Sequence, residues 1–313
     1  MVEKNEKFSL IYENPFNIFP KYGEDVEEIC QCYLADGEVI SGFECLKLLE
    51  ELILDDEIGF KNKDESISEI EYYQSKKSIQ LLLKDDSMIF KCLDTYKHIN
   101  KREPDRSSSG IDTWFEYEEK LNSITICGRT VMKTKLIDVI AMFYEVDILE
   151  KSVEQFEFMK TLKKLNFSRW LTHCGLKMPI TFSNRDMVVI GVSLFEKKDK
   201  LFVISFRSAT KDEYDEVPSE IDKHCRITMN TGFYIGKYVD DDHVELFISF
   251  NVDPKVAVPW FLINTFTKDI GYYMMSDFRK MIEKNSEEEI YKERILKNKK
   301  DYDIIRKAIG MKL

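Results

Sequence analysis

Two dipeptides, His173-Cys174 and His224-Cys225, place an imidazole beside a thiol, the residue types of metal sites and of nucleophilic catalysis. In a strand, however, neighbouring side chains point to opposite faces, so neither dipeptide readily supplies two ligands to one site. Cys30-x-Cys32 lacks the x2–4 spacing of zinc knuckles and has no His nearby. The seven Cys are odd in number, and the N-terminus has neither a long apolar run nor a small-residue cleavage site, so free structural thiols are expected. No G-x-S-x-G, P-loop, GxGxxG or H-E-x-x-H occurs. Nothing positions a base beside Cys174 or Cys225. The expectation is therefore a protein without catalytic residues, metal or cofactor.

The remaining polar residues of interest stand in strand-like surroundings. Arg207 and Glu245 interrupt otherwise apolar runs. Each could meet a phosphate or hydroxyl inside, or face outward. Alternation puts Arg226, Thr228 and Asn230 on one face of a strand beginning at His224. A buried Arg226 would need a carboxylate, and Asp186 is the candidate.

Composition bounds what holds these residues. Of 313 residues, 43% are hydrophobic, and 21 Phe, 15 Tyr and 3 Trp supply a core, which excludes global disorder. No run of 18 apolar residues offers a transmembrane helix. Residues 1–100 hold 11 Lys+Arg against 22 Asp+Glu, while the remainder balances. An acidic module thus stands beside a neutral one. Without a basic footprint, nucleic acid is not an expected partner.

Residues 22–58 read as two acidic helices, the second amphipathic through Ile40, Phe43, Leu46, Leu49 and Ile53. Residues 61–68 read as a loop, 76–97 as a helix and 101–110 as a linker. Strands are expected over 113–119 and 122–137. Asp138 is expected to cap a helix over 139–156. Four β-rich stretches follow at 185–195, 200–208, 224–239 and 243–252, with short polar links that favour antiparallel neighbours. Pro259 opens a long helix to about Glu283. Residues 286–313 form a charged helical tail.

A curved antiparallel sheet must bury its inner face, and the long C-terminal helix is the element apolar enough to cover it. The expected fold is α+β, a helix-grip arrangement with an acidic helical N-terminal extension.

In this order the motifs resemble those of START (StAR-related lipid-transfer) domains. Pro179 precedes Arg185-Asp186-Met187-Val188-Val189, similar to the family's RD-plus-apolar strand. Cys225-Arg226-Ile227 resembles its apolar-Arg-small strand start. Asn251-Val252-Asp253-Pro254 followed by Pro259-Trp260-Phe261-Leu262-Ile263-Asn264 is similar to its DPxG…P-W-L-x-N junction. Trp114 matches a Trp near the first strand. Lys255-Val256 departs from the Gly-Gly of many members, and the family's W-D motif has no clear counterpart. The resemblance spans residues 75–285, leaving 1–74 as the acidic extension and 286–313 as the tail.

The resemblance implies one lipid, phospholipid, sterol or ceramide-like, held in an apolar tunnel and transferred between membranes by a cytoplasmic protein with transient membrane contact. It implies polar lipid contacts at Asn230 and Arg226, and the full set of expected contacts adds Met187, Arg207, Thr228, Glu245 and Phe247 on the strands and Trp260, Ile263, Ile270 and Met274 along the C-terminal helix. Met187 and Asn230 are not the aromatics that cage a choline group, although Phe233, Tyr234 and Phe247 could substitute. It also implies a gate touching the membrane at Phe195, Val256, Ala257 and Val258. The second expectation is a lipid-sensing regulatory protein whose N-terminal helices bind a protein partner.

Overall fold

The computed structural model describes residues 77–166, 169–178, 183–197, 200–255, 260–285 and 288–311. The expected helices over 22–58 and the loop at 61–68 lie outside them. The chain divides into two compact units, Met1–Ser87 and Met88–Leu313. Every strand among the described residues belongs to the second unit.

Helix α1 (Lys77–Ile99) precedes strands β1 (Arg106–Ser108), β2 (Ile111–Glu118) and β3 (Ser123–Lys133). Helices α2 (Leu136–Tyr144) and α3 (Val146–Ser152) follow, then β4 (Phe156–Asn166), β5 (Arg169–Leu176), β6 (Asn184–Glu196), β7 (Leu201–Ser208), β8 (His224–Arg226), β9 (Thr228–Asp240) and β10 (His243–Asp253). Three helices close the chain: α4 (Trp260–Asn285), α5 (Glu289–Lys297) and α6 (Lys299–Ala308). The strands form one sheet in the order β1-β2-β3-β10-β9-β7-β6-β5-β4. Every neighbouring pair in that order is antiparallel. The short β8 alone runs parallel, beside β6, after the long connection from β7. This is the helix-grip fold expected from the sequence.

Side-chain alternation gives the sheet two differently covered faces. Helix α4 lies on the inner face, against β2 and β3. Gly128 permits that approach: a Cβ there would stand 2.1 Å from Met275 Cγ, far inside van der Waals contact. Around Met275 the inner face contributes Ile111, Met132, Phe202, Ile204, Leu246 and Ile248 to one buried core. The part of α1 from Met88 onward covers the outer face. There Cys92 and Ile99 pack with Trp114, Cys127, Val203, Phe233, Ile235 and Phe247.

Three local expectations need correction. Asp138 is not a cap, because the helix already begins at Leu136 with Lys135 at the N-cap position. The single helix over 139–156 is two helices broken at Glu145, whose backbone leaves helical values (φ −89°, ψ 70°). The cause lies in the C-terminal tail: Arg294, Asn298 and Tyr302 all donate hydrogen bonds to the buried Glu145 carboxylate. Third, residues 156–176 hold an unforeseen hairpin, β4–β5, at the edge of the sheet. Residues 288–311 likewise belong to the main core, where Tyr291, Ile295, Tyr302, Ile305 and Ile309 are buried.

Candidate functional site

The inner face carries an aromatic floor. Phe143, from α2, stacks on Tyr234 of β9 with ring centroids 4.1 Å apart, and Phe206 and Phe250 flank Tyr234 at 5.3 and 5.8 Å. Burial pushes the Tyr234 phenol up, so it stays neutral. Toward β5, Tyr144 packs on Trp170 at 4.9 Å and on Phe195 at 6.2 Å, and its hydroxyl is tightly bonded to Ser193 Oγ.

Beside this cluster lies a cleft of about 600 Å³. Its walls are Tyr144 and Val146 from the α2–α3 junction, Met159, Thr161 and Trp170 from the β4–β5 hairpin, and Tyr302 and Ile305 from α6. Charged groups also line it, Glu145, Asp147, Glu150, Lys160, Lys164 and Asp301, and most of them are paired. Lys164 of β4 meets Asp301 of α6 at 3.0 Å, and Asp147 takes two bonds from Arg294, at 2.9 and 2.7 Å. Those bonds hold the Asp147 carboxyl below the usual carboxylate range. The paired charges leave the apolar side chains between them free to meet an apolar body, with Glu150 and Lys160 facing the same space.

The residues expected to contact lipid divide between the two faces. Met187 and Phe195 lie half-buried against the inner core, and Met274 is half-buried on α4. Phe195 is therefore part of the packed floor and not a loop-tip gate. The other polar candidates are corrected. Arg207 forms a two-pronged pair with Glu213, at 2.8 and 3.1 Å, on the outer side. Glu245 accepts a bond from Tyr96 beneath α1, and Phe247 stacks on Phe233 in the outer core. Arg226 is bound to Asp186 and to the carbonyls of Pro218 and Ser219. The structural pairing of Arg226 with Asp186, weighed from the sequence, is what the fold contains.

Thr228 and Asn230 are displaced by a β-bulge. The β9–β10 register shifts between Asn251 and Val252, so that Asn251 opposes Thr231 while Val252 opposes Met229. Even-numbered residues of β9 face inward from Gly232 onward, but before the bulge Met229 takes the inner place and is buried in the core. Asn230 instead bonds Asn251 Oδ1 at 2.7 Å. With Thr228, Ser123, Glu118, Asp253 and Lys255 it lines a polar hollow of about 390 Å³. Val256, Ala257 and Val258 lie outside the described residues, as do the side chains of Trp260, Ile263 and Ile270.

The two His-Cys dipeptides lie in structural surroundings. His173 Nε2 lies 2.9 Å from Asp186 Oδ2, and His224 Nε2 lies 2.9 Å from Glu157 Oε2. Cys92, Cys127 and Cys174 are buried, and burial pushes their thiols up to about 12, 11 and 12. Cys225 is only partly covered. Brief alkylation with iodoacetamide at pH 7.5, read by peptide mapping, should label Cys225 well before these three. Equal labelling of Cys174 would show the inner face open to water. Among the described residues, no group of three or more His, Cys, Asp and Glu is placed to hold a metal, and no helix is long and apolar enough to cross a membrane.

No family model and no curated protein matches the sequence. Solved structures do match. Human STARD10 aligns at 15% identity over 62% of this chain and 76% of its own, with a TM-score of 0.52. Human StAR-related lipid transfer protein 5 aligns at 11% identity over 68% of this chain and 100% of its own, with a TM-score of 0.55. The chain therefore has a START-like fold.

Proposed function

We propose that this chain binds a single lipid against the inner face of its sheet and carries it between membranes. The observation that supports this reading is the cleft of about 600 Å³ opening on an aromatic and apolar floor beneath a START-like frame. Its size falls within the ~300–1,000 Å³ of small-molecule sites. Water-exposed acyl chains are unfavourable by about 0.8 kcal/mol per CH₂, so a carrier that covers them lowers the barrier to transfer. The lipid is a phospholipid, sterol or ceramide-like molecule, and the membrane contact is transient. The reading is of a carrier, with His173 and His224 taken as structural partners of Asp186 and Glu157.

Mass spectrometry of lipid co-purified with the protein, followed by uptake of fluorescent phospholipid, sterol and ceramide analogues by delipidated protein, tests the reading. One lipid per chain is expected, with transfer between vesicles. A delipidated, folded sample that takes up none of the three analogues overturns it. The acidic extension is assigned no part in uptake. Deleting residues 1–70 should leave uptake within about 2-fold of the full chain, as for sites without shared partners. Loss of uptake in a folded truncation would move the lipid site toward the extension.

A further inference from the structure

Helix α6 stands on the inner face where an extended ligand would continue from the cleft. Its Tyr302 and Ile305 form one wall of the cleft, and Ile305 and Ile309 are fully buried against the sheet side of the core. The helix has only 10 residues, and a single residue, Asn298, joins it to α5. The two helices differ in how they are held. Helix α5 is anchored by Arg294, which grips Glu145 and Asp147 together. Helix α6 is held by the Tyr302 hydroxyl on Glu145 at 2.8 Å, by the Lys164–Asp301 pair across the cleft, and by its apolar side. That apolar side packs on surface a lipid chain could cover equally well.

We infer that α6 is a displaceable wall: it packs over part of the ligand groove and swings about Asn298 when a lipid enters. The inference rests on the lipid-carrier reading and adds how its site is regulated. A cleft of about 600 Å³ suits a drug-sized molecule, whereas a lipid with two long chains needs more length. Moving α6 supplies it. The apolar surface that α6 uncovers is covered again by the lipid, so the two occupants compete for one face. The α5 anchor stays in place, because Arg294 grips Glu145 and Asp147 at the rim of the cleft and Tyr291 and Ile295 are buried in the core. Buried Tyr302 exchanges one partner for water or the lipid head, and Asn298 is the joint at which the backbone turns.

Hydrogen exchange on the full chain tests this, with the protein delipidated or loaded in turn with fluorescent phosphatidylcholine, cholesterol and ceramide analogues. With lipid bound, the amides of residues 299–308 should exchange ~10-fold faster or more, while those of α5 and β7 keep their rates. A loaded protein whose α6 amides are unchanged or better protected overturns the inference and leaves the carrier reading intact. Failure to load any of the three overturns the carrier reading itself. A second arm uses the half-exposed pair at the mouth. Lys164→Asp sets two carboxylates against each other and should speed uptake about 2- to 5-fold, the range for such a pair. Lys164→Asp with Asp301→Lys should restore the wild-type rate. Uptake by the single variant at the wild-type rate also overturns the inference.

Discussion

Replacing Asp186 with alanine should lower the unfolding free energy by ~3–5 kcal/mol, the cost of stripping one partner from a buried ion pair. Asp186 is fully buried, and its Oδ2 receives Arg226 Nε at 2.8 Å and a second Arg226 nitrogen at 2.5 Å. His173 Nε2 stands 2.9 Å from the same oxygen. Removing the carboxylate leaves a guanidinium only partly exposed to water and a buried imidazole without its partner. It also removes the side-chain tie between β8 and β6, whose backbone register sets Asp186 opposite Arg226. Urea titration at pH 7 measures the effect, and a loss below ~1 kcal/mol would mean that the network is ornamental. The pH dependence carries a sign. Burial alone would push the Asp186 carboxyl up, but bonds and charge from Arg226 and His173 outweigh it, and the group lies below its ordinary value. A depressed carboxyl contributes stability above its unfolded value of ~3.9 and loses it as the pH falls through the folded value. Wild-type protein should therefore lose this contribution only below about pH 4. The Asp186→Asn variant should lack it at pH 7 and show a flatter acid limb.

Much of the element order is legible where an element has a pattern of its own: alternation in β6, β7, β9 and β10, and a long apolar opening after Pro259. What escapes the sequence is what a single extra residue or a distant partner decides. Alternation read backward along β9 puts Asn230 and Thr228 on the same face as Tyr234, and so inward. The bulge opposite Asn251 reverses the faces, and it leaves no mark in the residue types. The helix break at Glu145 depends on Arg294, Asn298 and Tyr302, some 150 residues away. Strand β4 hides for another reason. Phe156, Met159, Leu162 and Leu165 recur every third residue, and the strand carries three register shifts against β5. Both features break a period of two. Its lysines suit an exposed sheet edge, which charged side chains keep from pairing with other chains. Because β4 and β5 wall the cleft, the cleft itself was invisible, and Tyr144, Met159, Trp170 and Tyr302 with it. Arg226 was half legible: a buried arginine requires a carboxylate, and the Arg-Asp dipeptide at 185–186 offered one.

Gly236→Val should destabilise the protein by about 3 kcal/mol or more, the upper end for overpacking a core. Two effects oppose each other here. Valine is the better strand former, worth up to ~1 kcal/mol over glycine on propensity and packing of an ordinary strand. Against it stands the Phe202 ring, which lies across Gly236 with Cε1 2.1 Å, Cζ 2.7 Å and Cδ1 2.9 Å from where a Cβ would be. The ring cannot turn aside cheaply, since Phe202 is fully buried and Phe143 leans on it at 6.4 Å. Steric conflict therefore outweighs propensity, and even Gly236→Ala should be destabilising. Thermal and urea unfolding of the single variants check the sign, and a stabilised Gly236→Ala would refute the geometry. Phe202→Ala alone should cost ~3–5 kcal/mol through the cavity it leaves. Combined with Gly236→Val, the two changes should cost less than their sum by ~1–3 kcal/mol, because the new side chain enters the space the ring vacates. That coupling has a functional reading. Phe202 and Tyr234 pave the inner face, so the double variant reshapes the floor while restoring part of the packing. Folded double variant should then differ from wild type in which lipid analogue it takes up best. Strict additivity in stability would show instead that Gly236 and Phe202 do not share that space.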